Sequence, residues 1–69
     1  MKNSLKVERA KQNMTQAELA AKVQVSRQTI NSIEIGKYVP STLLALKIAT
    51  VCNSPVDEIF ILQDDDWLR

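Results

Sequence analysis

The 69-residue sequence has no histidine, one cysteine, one glycine and two prolines, and each of these low counts excludes certain structures or functions. Without histidine, and with scattered acids, it offers no metal-ligand spacing and no catalytic set, so we expect no enzyme, metal, cofactor or small-molecule ligand. The lone Cys52 cannot form an internal disulfide, which is typical of a cytoplasmic protein. No apolar run resembles a signal peptide or approaches the roughly 18 residues of a membrane span.

What is present favours one small helical domain. Hydrophobic residues make up 45% of the chain, enough for a folded core rather than a disordered tail. Few glycines and prolines and singly scattered β-branched residues favour helices joined by short turns. We therefore expect one domain over residues 1–69, with a core at about 5–61 and an acidic tail at 63–69. So short a chain buries a modest core, which favours oligomerisation.

The net charge of +1 conceals an uneven distribution. Residues 1–49 carry eight Lys or Arg against three acids, whereas residues 50–69 carry one Arg against five acids. A basic body with an acidic end leaves one face free to meet phosphate, although chance produces similar asymmetry in short proteins.

Polar caps and apolar spacing predict five helices. The first, from about Ser4 to Gln12, has a weak apolar stripe because Glu8 stands where a core residue is expected. The fourth and fifth begin at the caps Ser41 and Ser54, and the very apolar fourth helix is expected at the centre of the core. The apolar residues assigned to these three helices are Leu5, Val7, Leu43, Leu44, Leu46, Ile48, Ala49, Val51, Ile59, Phe60 and Leu62. The run 60–62 can instead form a short extended segment, and the sequence leaves both structures open.

The second and third helices are separated by a very short turn. The second begins at a capping box between Thr15 and Glu18, the third begins at Ser26, and Gly36 ends it. A helix-turn-helix requires a small residue where the helices cross and apolar residues in register on both helices and in the turn. The residues that meet these requirements are Leu19, Ala20, Val23, Val25, Ile30 and Ile33.

Three segments carry a family resemblance: Gln16-Ala17-Glu18-Leu19-Ala20, Val25-Ser26-Arg27-Gln28-Thr29-Ile30 and Glu34-Ile35-Gly36-Lys37-Tyr38-Val39-Pro40. Over roughly residues 5–61 the chain closely resembles the phage-repressor and Cro (XRE-type) family of bacterial and archaeal regulators, especially its small single-domain members. The resemblance implies an all-α, five-helix, lambda-repressor-like DNA-binding domain, to which the termini can add a short β extension. It also implies a sequence-specific transcriptional regulator, a repressor, that binds double-stranded DNA at a two-fold symmetric operator as a homodimer.

The sequence departs from the family pattern at three positions. Gln24 stands where the turn usually has glycine, and a left-handed residue there carries strain of about 1 kcal/mol. Glu8 replaces an apolar residue and Ile35 replaces a polar one, which marks both faces as candidate partner surfaces.

A recognition helix enters the major groove by its N-terminal end, so its outward side chains reach the base edges. Arginine can pair with guanine, and glutamine or asparagine with adenine. The predicted base-contacting residues are Arg27, Gln28, Asn31 and Ser32, with Thr29 at the margin.

Four further residues are assigned to DNA phosphates. Gln16 lies at the N-terminus of the second helix, which attracts anions, and in the family this position touches a phosphate. Ser26 caps the recognition helix, and Lys37 and Tyr38 follow it along the strand. For Lys37 the alternative is simple solvation, and for Tyr38 it is packing against the fourth helix.

Arg9 and Glu34 match family positions that pair across the first and third helices. We expect them to form a structural clamp, with a DNA contact by Arg9 as the alternative.

The end of the chain is the predicted dimer surface. This end has more apolar surface than one small bundle can cover, and the residues that provide it are Phe60, Ile61, Leu62 and Trp67. The alternative for Trp67 is packing on the core of its own chain. The competing function is a protein-interaction module on the same fold, an antitoxin-like partner or co-regulator, motivated by Ile35 and the acidic tail.

Overall fold

The structure, a computed structural model, describes residues 1–68, which contain five α-helices, a two-stranded sheet and a C-terminal 3₁₀ helix. The expected five-helix fold is confirmed, and so is the extended alternative at the end of the fifth helix. In chain order the elements are β1 (Lys2–Asn3), α1 (Leu5–Lys11), α2 (Gln16–Val23), α3 (Arg27–Glu34), α4 (Thr42–Cys52), α5 (Val56–Ile59), β2 (Phe60–Ile61) and a C-terminal 3₁₀ helix (Asp64–Leu68).

Three of the predicted N-caps are confirmed. Thr15 forms the full capping box with Glu18, and the Ser26 hydroxyl accepts the backbone N–H of Thr29. Ser41 caps α4 in the same way by accepting the N–H of Leu44 at 3.2 Å. Each such cap satisfies a donor that the first helical turn leaves unpaired, which is worth about 1 kcal/mol.

Ser4 occupies the N-cap position of α1 but its side chain makes no capping hydrogen bond, whereas the predicted cap at Ser54 is wrong because Pro55 occupies the N-cap position of α5. The Ser4 hydroxyl donates to the backbone carbonyl of Glu58, and the Asn3 side chain accepts the first N–H of α1 instead. The Ser54 hydroxyl donates to a Glu8 carboxylate oxygen at 2.7 Å. Both serines therefore join segments that are distant in sequence, which local spacing cannot reveal.

The buried core contains the predicted helix-turn-helix set. Leu19, Val23, Ile30 and Ile33 are at most 1% exposed, and Ala20 is buried where α2 meets α3. Burying one such large side chain contributes roughly 1.5–3 kcal/mol. Val25, in the turn, is half-buried against the same core.

Helix α4 supplies more buried core residues than any other helix, but not all of the apolar residues assigned to its buried side are covered. Leu44, Ile48 and Cys52 face inward, but Leu43 is 66% and Leu46 51% exposed. Helix α4 packs against α2 and α5, and its buried side chains face the core while Leu43 and Leu46 face away from it. Two other residues assigned to buried sides are also exposed, Val7 on the outer face of α1 and Leu62 just beyond β2.

The two ends of the chain meet in a short sheet. Strands β1 and β2 are antiparallel, with Lys2 opposite Ile61 and Asn3 opposite Phe60. The Asn3 amide also donates to the backbone carbonyl of Ile33 at 2.9 Å, which ties this sheet to the C-terminal half of α3.

Glu8 is buried, and its carboxylate has a hydrogen-bond partner and an ion-pair partner within the chain. Its carboxylate accepts the Ser54 hydroxyl and contacts the Lys11 ammonium at 3.0 Å. The hydrogen bond from Ser54, followed by the interaction with Lys11, holds the pKa of Glu8 below its ordinary value. The interpretation of Glu8 as part of a partner surface is therefore wrong, whereas Ile35 is indeed exposed.

Candidate nucleic-acid interface

The turn between α2 and α3 sets the direction of the third helix. Gln24 ends α2 in the left-handed conformation, with φ of 64°, as its position in the turn predicts. The backbone N–H of Val25 returns to the Ala20 carbonyl at 3.0 Å, and Ser26 then starts α3. With Ile30 and Ile33 facing the core, the opposite side of α3 is directed to solvent.

A cleft of about 510 Å³ runs along the first turns of α3. Apolar walls are provided by Val25 and Leu44, neither of which was among the predicted site residues. The sequence offered a sign of both: Val25 is the apolar residue inside the turn, and Leu44 is the first inward-facing residue of α4. The predicted residues that the structure brings together in this cleft are Ser26, Gln28, Thr29, Ser32 and Tyr38.

A chain of polar contacts connects the remaining predicted residues. The Gln16 amide oxygen accepts from Arg27 at 3.0 Å, and its amide nitrogen donates to Asn31 at 3.2 Å and to Glu34 at 3.0 Å. Gln16 is half-buried, whereas Arg27 is exposed. The side chain assigned to a phosphate thus lies among the polar side chains of α3, a role that the sequence did not indicate.

Arg9 and Glu34 form an ion pair next to this network of polar contacts. Two guanidinium nitrogens donate to the two carboxylate oxygens at 2.7 and 3.2 Å, and the third nitrogen donates to the Met14 carbonyl at 2.8 Å. Both side chains are largely shielded from solvent, and the hydrogen bonds that Arg9 donates to Glu34 raise the pKa of Arg9 above its ordinary value. Such a bidentate pair fixes α1 against α3 in one orientation.

The hydroxyls of Ser26 and Thr29 are hydrogen-bonded to each other at 3.0 Å. Because Ser26 also accepts the Thr29 N–H, its hydroxyl already has two partners within the cap. Thr29 is half-buried and presents less of its side chain than its neighbours Arg27 and Gln28.

Gly36 brings the chain back beside α3. It adopts φ of 82° and nothing lies within 4 Å of where a side chain would begin, so the backbone conformation alone favours glycine here. The backbone N–H groups of Lys37 and Tyr38 both donate to the Ser32 carbonyl, at 2.9 and 3.2 Å. Both side chains are exposed, and Tyr38 also lines the cleft beside α3.

The predicted dimer residues lie on β2, just beyond it at Leu62, and on the C-terminal 3₁₀ helix, and none of them lines this cleft. Phe60 is half-buried against the core, whereas Ile61 and Leu62 are exposed. Trp67 is 76% exposed, so the alternative in which it packs on its own core is wrong. Within residues 1–68, no helix has the length and apolar character needed to cross a membrane.

Comparison with known proteins agrees with this geometry. A family model described as helix-turn-helix matches residues 5–59. The chain belongs to this helix-turn-helix family. An uncharacterized HTH-type transcriptional regulator of Methanocaldococcus jannaschii is 54% identical over 96% of this chain and its own full length. A relative from Archaeoglobus fulgidus is 50% identical over 96% of this chain and 93% of its own length. The regulator YgzD of Bacillus subtilis is 42% identical over 96% of this chain and its own full length.

These findings make the protein a DNA-binding transcriptional regulator of the XRE type, with a fold in which a short antiparallel sheet supplements the five helices. The family is one of transcriptional regulators and not a class of enzymes. The regulator's exposed α3 surface is accordingly its candidate contact with DNA.

Proposed function

We propose that the regulator is a repressor that binds a two-fold symmetric operator as a homodimer, with α3 in the major groove. The observation that carries the proposal is the division of α3 into two faces. Ile30 and Ile33 are buried, while Arg27 and Gln28 are exposed at its N-terminal end. In a helix-turn-helix this end of the second helix meets the base edges.

Base recognition is assigned to the polar face of α3. An arginine can pair bidentately with guanine, and a glutamine or asparagine with adenine, and these roles are assigned to Arg27, Gln28 and Asn31. Gln16 supports this assignment because its amide holds both Arg27 and Asn31 before DNA arrives. Thr29 and Ser32 line the same cleft and have shorter side chains. They are also assigned to base contacts, that of Ser32 through a water molecule.

Phosphate contacts are assigned to the two ends of the helix-turn-helix. Gln16 and Ser26 lie at the starts of α2 and α3, where free N–H groups and the helix dipole attract anions. Lys37 and Tyr38 lie beyond α3, beside the Ser32 carbonyl. Such contacts position the protein on DNA, while base contacts select the sequence.

Arg9 and Glu34 are proposed to act as a clamp rather than as DNA ligands. All three guanidinium nitrogens of Arg9 donate to groups within the chain, namely Glu34 and Met14. The clamp sets the angle of α3, and Glu34 in turn accepts from Gln16. Repression would follow from occupancy of a promoter by the dimer, in the cytoplasm where prokaryotic DNA is found.

The experiment is selection of binding sites from a random double-stranded DNA pool at moderate salt. The proposal predicts a common site with two-fold symmetry, whose half-sites are about one helical turn apart. The matched control is selection with the variant Arg27→Ala/Gln28→Ala, which changes only exposed side chains, so it should retain the fold, verified by circular dichroism, and lose the preference. Equal affinity of the native chain for all sequences would exclude a specific repressor and favour the protein-interaction module.

A further inference from the structure

The outer face of α4 carries apolar side chains that no element of residues 1–68 covers. Leu43 and Leu46 are 66% and 51% exposed, and Thr50 continues the same line one turn further along the helix. We name Leu43, Leu46 and Thr50 the α4 ridge. A contiguous apolar surface of this kind, rather than a single exposed leucine, is typical of an interaction site.

An apolar cleft lies along one side of the α4 ridge. It has a volume of about 250 Å³, and Leu46 forms one of its edges. Val39, Val56 and Phe60 are among its walls, and Val39 is itself 57% exposed. The cleft is therefore open and mostly apolar, and it is wide enough to receive a side chain from another molecule.

The acidic end of the chain borders this cleft. Met1 also lines it, and the Met1 amino group lies 3.0 Å from the carboxylate of Asp66. Asp66 belongs to the C-terminal 3₁₀ helix, whose first three residues are all aspartates. We name residues 64–66 the acidic border.

Lysines lie along the opposite side of the α4 ridge. A second cleft, of about 360 Å³, is lined by Lys22 of α2 and Lys47 of α4, together with Leu43 and Leu46. We name these two lysines the lysine border. The α4 ridge thus lies between a negative and a positive border, with an apolar cleft on each side.

This arrangement is self-complementary under two-fold rotation. In an isologous dimer the same patch is used twice, and an axis parallel to the ridge exchanges its two sides. The lysine border of one copy then meets the acidic border of the other. At the same time the two ridges meet along the axis and each cleft faces the other cleft of the partner, so apolar and charged contacts form together.

We propose that a second copy of this chain docks on the α4 ridge, and that this surface forms the dimer on which the proposed function rests. The surface includes Phe60 but not Trp67, so it differs from the tail surface that the sequence indicated. A stable dimer buries about 800 Å² per protomer. That is roughly a sixth of the 4721 Å² of accessible surface, so the interface must extend from the ridge into both clefts.

The first test replaces ridge residues and measures self-association by sedimentation equilibrium over a range of concentrations. Leu46→Asp and, separately, Leu43→Asp are expected to weaken the dimer by at least about 100-fold, because a carboxylate would lose its water in the interface. Val7→Asp is the control, since Val7 is 56% exposed on α1 and should leave the dimer unchanged. Circular dichroism verifies the fold of each variant.

The second test reverses charge across the borders. Lys47→Glu is expected to weaken the dimer by about tenfold, and adding Asp64→Lys to the same chain should restore it. Lys6→Glu, which changes an exposed lysine of α1, is the control. Failure of the second substitution to restore association would overturn the pairing of the lysine border with the acidic border.

The outcomes separate this inference from the proposed function. A native dimer that survives both Leu43→Asp and Leu46→Asp, or one that Trp67→Ala dissociates, overturns the α4 ridge as its interface. A native chain that remains monomeric at every concentration overturns it as well. Binding-site selection is measured independently, so the failure of DNA recognition would leave the sedimentation result for the ridge intact.

Discussion

The carboxamide of Gln16 joins the scaffold of the regulator to its candidate DNA-reading residues. It accepts from Arg27 and donates to Asn31 and Glu34, so one side chain restrains residues with different expected roles. A free arginine side chain carries up to about 2 kcal/mol of rotamer entropy, part of which is lost on binding. Restraint by Gln16 before DNA binding therefore reduces the entropy that recognition must overcome.

Base and phosphate contacts should respond differently to truncation. Gln28→Ala is expected to remove about 1–3 kcal/mol of discrimination at one base pair of each half-site, because the amide that pairs with the base is removed. Lys37→Ala should weaken all sites alike and reduce the slope of log K against log salt by about one for each phosphate that is no longer neutralised. Binding measured at several salt concentrations, on the selected site and on single-base variants, tests both. The reverse pattern would show that the two assignments are exchanged.

The contact between Glu8 and Ser54 should make stability depend on pH. Hydrogen bonding by Ser54 and the interaction with Lys11 lower the pKa of Glu8 from 4.5 in the folded state. The stabilisation is therefore present above the unfolded pKa and is lost as pH falls through the folded pKa. Urea unfolding should give a nearly constant free energy down to about pH 5 and a decline at lower pH.

Ser54→Ala tests the source of that decline. It should make the fall in unfolding free energy below pH 4.5 shallower, because the largest cause of the lowered pKa is removed. Part of the decline should remain, since the capping box with Thr15 also lowers the pKa of Glu18. An identical pH profile in the variant would contradict the assignment to Ser54.

At the scale of elements, local signals were sufficient for α2, the turn and α3. The capping box, the Ser26 cap and the apolar spacing all lie within a few residues of what they determine. The same was not true of β1, because two residues cannot show periodicity and their partner Phe60–Ile61 lies at the other end of the chain. The exposed face of α4 was also missed, since composition reports how apolar a helix is but not how many neighbours cover it.

In the candidate site, too, local sequence predicted some features, whereas others depend on contacts between helices. Exposed positions on α3 followed from its periodicity once Ile30 and Ile33 were placed inside. The contacts of Gln16 with Arg27 and Asn31 depend on the crossing of two helices, so no local pattern indicates them.

Left-handed residues at helix ends provide a test of how elements are terminated. Gln24→Gly, at φ of 64°, is expected to raise the free energy of unfolding by about 0.5–1 kcal/mol by relieving backbone strain. Gly36→Ala, at φ of 82°, should lower it by about 1 kcal/mol, and open space around Gly36 means that backbone strain alone is tested. Urea unfolding measures both, and Ala21→Gly within α2 is the control, because glycine should destabilise there. A loss of stability in Gln24→Gly would contradict the strain at this turn.

At the scale of the whole molecule, one chain supplies only half of the proposed recognition surface. A single α3 helix of eight residues can contact only a few base pairs through its exposed face. The domain is tied together at its ends by the terminal sheet, the Asn3 contact with Ile33 and the ion pair between Met1 and Asp66. The relative position of two α3 helices is therefore expected to be set by how two such rigid domains dock.

Operator spacing tests that rigidity. Insertion of about five base pairs at the centre of the selected operator rotates one half-site by roughly half a helical turn. A dimer with fixed α3 helices can then engage only one half-site, so we expect the affinity to fall to that of an isolated half-site. The measurement is a titration of the native regulator, with the same five base pairs added outside the operator as the control. Undiminished binding to the interrupted operator would mean that the two copies bind independently, because only unlinked domains tolerate half-sites on opposite sides of the DNA.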